Sequence, residues 1–139
     1  MKEEYVSYER AVKLKELGFK DKCNAYYWTE DKAFECTNSI VHKNSDTCQT
    51  VVMAPSLWQA QKWLREVKDM DVLVFNNACG YGWEISKSNS DSRGTTIALF
   101  DDKGNDKDSG MWLSYELALS AGIDKALELL TDKLNEIKQ

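Results

Sequence analysis

The sequence predicts an α+β fold: an antiparallel sheet of about five to six strands with three helices, the long C-terminal helix packed across the sheet. Three observations predict it. Short β-rich runs follow one another through short polar links, which pairs neighbours antiparallel. Three segments open on capping residues at the spacing a helix requires. The last of them keeps one apolar stripe over about 24 residues, about 36 Å at the helical rise, enough to cross a small sheet. Residues 1–139 read as one domain.

Ser7 caps a first helix over residues 8–17, with Glu9 in its first turn and Gly18 as its stop. Residues 25–28 and 33–36 flank Thr29-Glu30-Asp31-Lys32 as the two arms of a hairpin, and residues 49–53 form a short β-branched strand. Pro55 and Ser56 open the second helix, which runs to about Lys68. Ser56 and Gln59 have capping-box spacing, and Leu57, Ala60, Trp63, Leu64 and Val67 form its apolar face. Residues 72–75, 81–86 and 95–100 are a second set of strands, with a polar connection at 88–94. Ser114 opens the third helix, with Glu116 in its first turn and an end near Lys138. Its stripe is Leu119, Ile123, Ala126, Leu127, Leu130, Leu134 and Ile137, and Gly122 within it marks a close helix–sheet contact.

Composition removes several classes of function. Hydrophobic residues at 42% with five Trp support a real core, and one Pro with seven Gly argues against low complexity. No apolar run approaches the roughly 20 residues that span a bilayer. The opening MKEEYVSYERAVK lacks a signal-peptide core, so a cytosolic location is expected. Net charge is −5 and the cations are scattered, which argues against nucleic acid or a membrane surface as primary partner. The four cysteines lie at 23, 36, 48 and 79 without a C-x-x-C pair, as reduced, buried or half-buried thiols would. A zinc set of Cys23, Cys36, His42 and Cys48 lacks the paired spacing such sites use, and neither metal nor cofactor is expected.

Three segments invite a chemical reading. Asn76-Asn77-Ala78-Cys79-Gly80-Tyr81-Gly82 places a cysteine between two strands, but a nucleophile needs a base and His42 is the only histidine. Asn and Gly there also suit the tip of a hairpin, which is the favoured reading. The acidic run 101–110 fits no register of a calcium-binding loop and reads as a solvated connection. On the second helix Trp58 points about 160° from the centre of the apolar face, with Lys62 and Arg65 on its side. An exposed Trp beside two cations anchors a protein contact. The competing reading is that a first-turn residue folds onto a neighbouring loop.

Four stretches resemble a family. They are Cys23-Asn24-Ala25-Tyr26-Tyr27, then Ala54-Pro55-Ser56-Leu57-Trp58-Gln59-Ala60-Gln61-Lys62-Trp63-Leu64-Arg65-Glu66, then Tyr81-Gly82-Trp83-Glu84-Ile85, and Ser114-Tyr115-Glu116-Leu117-Ala118 with Ile123 and Ala126-Leu127-Glu128-Leu129-Leu130. Together they are similar to small accessory proteins of bacteriophages, prophages and mobile elements of gut bacteria. The resemblance extends from Tyr8 to Leu134 and is weaker at 44–49 and 86–94. It implies a phage-type accessory protein in a bacterial cytoplasm and carries no activity over.

The leading expectation is therefore a non-enzymatic protein acting by protein–protein interaction through Trp58, Lys62 and Arg65. Its partner would be a host or phage protein, in the sharper form a host defence system that it inhibits. The alternative is a small-molecule-binding protein or hydrolase with a pocket around Tyr81, Trp83, Cys79 and His42. Homo-oligomerisation is left open.

Overall fold

The computed structural model describes residues 4–37, 42–45, 47–77, 80–89, 93–99 and 112–138. Among them the chain forms, in order, α1 (Tyr8–Glu16), β1 (Ala25–Trp28), β2 (Phe34–Cys36), β3 (Val51–Met53), α2 (Leu57–Val67), β4 (Asp71–Asn77), β5 (Gly80–Ser86), β6 (Thr96–Leu99) and α3 (Tyr115–Lys138). This is the α+β class with antiparallel sheets and a long C-terminal helix. The six strands do not share one sheet, however. They divide into two three-stranded antiparallel sheets, ordered β2-β1-β3 and β4-β5-β6. The division falls where α2 separates β3 from β4, so each sheet is built only from strands close in sequence. The chain likewise divides into two compact units, one holding the described residues up to Trp58 and those from Leu130 on, the other Gln59–Leu129.

In the first unit α1 begins as its cap demands, with the Arg10 N–H donating to Ser7 Oγ at 3.3 Å. It ends where Gly18 takes φ +97°, which a side chain would resist. There the Phe19 N–H reaches Leu14 O at 2.9 Å and the Gly18 N–H reaches Lys15 O at 3.1 Å, the paired bonds of a Schellman turn. Phe19 and Leu14, on either side of the turn, are both fully buried, as are Ala11 and Ala25, and Val52 is buried with them. The β1–β2 hairpin turns at residues 29–32 as expected, with Lys32 at φ +61°. Asn44 pins the segment 42–45. Its Nδ2 donates to Phe19 O at 3.0 Å and its Oδ1 accepts from the Met53 N–H at 3.0 Å, inside the core.

The second unit rests on the pairing of β4 with β5, continuous from Asp71↔Ser86 to Asn77↔Gly80. That register makes the Asn-Asn…Gly-Tyr-Gly stretch the tip of a hairpin, with Gly80 at φ +137°. Cys79 itself lies outside the described residues, as does the acidic run 101–110. Val72, Trp83 and Ile85 share one buried face with Ala98 of β6. Against it lies the N-terminal half of α3, capped by Ser114, whose Oγ accepts from the Leu117 N–H at 3.1 Å. A Cβ on Gly122 would stand 2.6 Å from Val72 Cγ1 and 3.1 Å from Trp83 Cβ. Gly122 is therefore the close helix–sheet contact that its place in the stripe predicts.

Both apolar stripes run past the surface that covers them. Leu119, Ile123, Ala126 and Leu127 are fully buried, Leu130 and Leu134 only half-buried, and Ile137 is 74% exposed. On α2, Leu57, Ala60, Trp63 and Leu64 are buried, but Val67, the last helical residue, is 59% exposed. No helix among the described residues is long and apolar enough to cross a membrane.

Candidate functional site

Strand alternation divides the side chains of the first sheet into two sets. Tyr27 faces one way and is absorbed by structure. Its hydroxyl donates to Val6 O at 2.7 Å, and its ring meets Phe34 at 5.3 Å and Tyr8 at 5.7 Å. Burial, reinforced by the charge of Glu9, holds that phenol above its ordinary pKa. Tyr26 and Trp28 face the other way, across from Met53 and Val51 of β3, while Glu35 of β2 stands opposite Tyr26.

These three side chains are locked together at the surface. Tyr26 Oη donates to Glu35 Oε2 at 2.7 Å and Trp28 Nε1 donates to Glu35 Oε1 at 3.2 Å. The two rings meet nearly edge to face, 5.6 Å apart at 76°. The hydroxyl of Tyr26 and then the indole of Trp28 hold the Glu35 carboxyl below the usual range, and the same carboxylate raises the Tyr26 phenol. Glu35 is thus fixed as an anion at the surface. On the other side of Tyr26 the His42 ring stands 6.1 Å away at 86°. Beside these rings opens a cleft of about 250 Å³, lined by Tyr26, Trp28 and His42 together with Lys43, Cys48, Val51 and Met53.

Cys48 is the chemically distinct thiol of this cleft. The Thr50 hydroxyl at 3.5 Å, the backbone N–H groups of Thr50 and Val51, and the charge of Lys15 lower its pKa. Lys15 Nζ also donates to Cys48 O at 2.8 Å. A second cleft, about 440 Å³, lies between α1 and the sheet, lined by Tyr8, Val12, Lys15, Thr29, Gln49 and Val52.

The expected site residues are placed as follows. Trp58 is 43% exposed, Lys62 is exposed, and Arg65 is half-buried with Asp71 Oδ1 at 4.0 Å. All three lie on α2. Tyr81 and Trp83 belong to the second unit: Tyr81 is half-buried, its ring 6.1 Å from Tyr115, and Trp83 is buried beneath Gly122. Trp83 Nε1 has no hydrogen-bond partner among the described residues. His42 belongs to the first unit, where its backbone pairs with Cys23 by two bonds of 2.8 Å. The thiols are not uniformly covered as expected. Cys23 is buried, Cys48 intermediate, and Cys36 exposed, since β2 is an edge strand with every side chain exposed. No group of three or more His, Cys, Asp or Glu among the described residues is arranged to hold a metal.

Sequence reading missed Tyr26, Trp28 and Glu35 as a group. The available signal was the hairpin register: with the turn at residues 29–32, Glu35 falls opposite Tyr26, and Trp28 lies two residues along the same face.

Comparison with protein-family models, with curated proteins and with solved structures returns no match.

Proposed function

We propose that this protein acts by binding another protein, without catalysis, and that the Tyr26–Trp28–Glu35 face is its principal contact. One observation carries the reading: three large surface side chains are already held in one arrangement by two hydrogen bonds and a ring contact. Groups ordered before binding lose little side-chain entropy on association, and Trp and Tyr are the residues that most often dominate interface energetics. Trp58, 43% exposed at the start of α2, is a second contact residue. The resemblance to phage accessory proteins supports a host or phage protein as the partner, a host defence protein being the sharper form, in a bacterial cytoplasm.

The test is capture from a bacterial lysate by the immobilised protein, compared with Trp28→Ala and Trp58→Ala variants of unchanged circular dichroism. A captured species lost with Trp28→Ala supports the reading, and capture unaffected by either variant overturns it. A small-molecule reading has one observation of its own: Trp83 Nε1 has no hydrogen-bond partner among the described residues, and a ligand oxygen would satisfy it. A ligand-induced change in Trp emission that Trp83→Phe abolishes would favour it.

A further inference from the structure

The aromatic–carboxylate face has a chemistry that selects its partner. We infer that it receives a cationic side chain, an arginine or lysine carried on a basic segment of the partner protein. The inference rests on the protein-binding reading and narrows it.

Two of the four lone-pair positions of the Glu35 carboxylate are filled, by Tyr26 Oη and Trp28 Nε1. The other two remain for donors from outside, on an edge strand whose side chains are all exposed. A guanidinium or ammonium satisfies them with charge-assisted bonds. The rings add to the same preference. Tyr and Trp faces are negative, and a phenol donating to a carboxylate becomes more electron-rich, so a cation near both rings is attracted by them as well as by Glu35. Neither contribution suits an anion, and an uncharged aliphatic group would offer no donor to the two remaining lone-pair positions of the carboxylate.

The surrounding charges place the cation. Lys43 lines the cleft and repels a second cation there, so the basic group belongs at Glu35, opposite Tyr26 on β2. His42, Val51 and Met53, which line the same cleft, take the uncharged part of the same segment. The whole molecule agrees in sign: 23 acidic against 18 basic side chains attract a basic partner from a distance. Cation–π attraction plus a charge-assisted bond at a partly exposed site amounts to about a tenfold difference in affinity.

The experiment uses the full chain and a defined probe, a Gly-spaced arginine peptide, with the citrulline version as its neutral isostere. Trp fluorescence titration reads binding. Binding of the arginine peptide about tenfold tighter than the citrulline peptide, with Glu35→Gln removing that difference and Lys43→Gln preserving or enlarging it, supports the inference. Equal binding of the two peptides, or a preference unchanged in Glu35→Gln, overturns it. Tetramethylammonium binding as tightly as the arginine peptide overturns the assignment to a protein segment. Glu35→Gln is also carried into the lysate capture. If the captured partner is lost with Trp28→Ala but kept with Glu35→Gln, the cation inference falls and the protein-binding reading stands; if Trp28→Ala, Glu35→Gln and Trp58→Ala all leave capture unchanged, both fall.

Discussion

Asn44 and Asp69 show how much single polar side chains hold in place. Asn44, 8% exposed, bonds one backbone carbonyl and one backbone N–H inside the core, Phe19 O and the Met53 N–H. Asn44→Ala removes both bonds, and a buried group left unsatisfied costs about 1–3 kcal/mol. The expected result is a loss of stability in that range by urea denaturation with the m-value unchanged; a loss below about 0.5 kcal/mol would mean that the two groups find other partners. Asp69 works at the surface. It ends α2 at φ +58°, and its Oδ1 accepts from the N–H groups of Asn89 and Ser88, at 2.7 and 2.8 Å. Those two bonds, Asn89 first, lower its pKa. A carboxyl lowered on folding contributes stability above its unfolded value of about 3.9, and that contribution disappears as pH falls through the folded value. Wild type should therefore melt higher than Asp69→Asn at neutral pH, with the gap closing on acidification below about pH 4. A gap that widens in acid would show that the carboxylate is not what anchors the 88–89 turn.

Among the elements, α3 offers the sharpest test because two effects oppose each other at Gly122. Alanine would gain about 1 kcal/mol of helix propensity. Its Cβ would also arrive 2.6 Å from Val72 Cγ1 and close to Trp83 Cβ, atoms near the backbone of two buried strand residues that cannot swing aside. Overpacking of this kind costs about 1–3 kcal/mol, so the balance falls on destabilisation. Gly122→Ala should lower Tm, and the companion Val72→Ala should recover part of the loss by opening the space. This contact was legible in the sequence, since a glycine inside an apolar stripe signals close approach. So were the helix ends, because Ser7, Gly18 and Ser114 act through bonds to residues three or four positions away. What was not legible depends on distant partners. Nothing local separates six strands of one sheet from three and three, and nothing in the repeat of Leu119 to Ile137 states where the cover ends. The Tyr26–Trp28–Glu35 group was legible only in part, since its alternation is local whereas its exposure is set by what fails to cover β2.

For the whole molecule the question is what its stability rests on. A chain with four cysteines and a histidine can depend on a metal, and chelators unfold those that do. Here the candidate ligands are each engaged separately. Cys23 Sγ donates to Asp21 O at 3.6 Å, Cys36 Sγ lies 3.5 Å from Tyr5 Oη, and Cys48 Sγ lies 3.5 Å from Thr50 Oγ1. His42 is fixed by its backbone to Cys23 and by its ring to Tyr26. The apolar core does not involve three of these groups: Phe19, Leu14, Val52, Leu64, Ile85, Leu119 and Ile123 are buried whether or not any thiol is ionised. A stability that comes from apolar burial is indifferent to chelation. Tm should therefore be the same with and without EDTA, and protein purified without added metal should hold well under one equivalent of zinc. Co-purified zinc near one equivalent, lost together with the melting transition, would overturn this and make the first unit a metal-dependent fold.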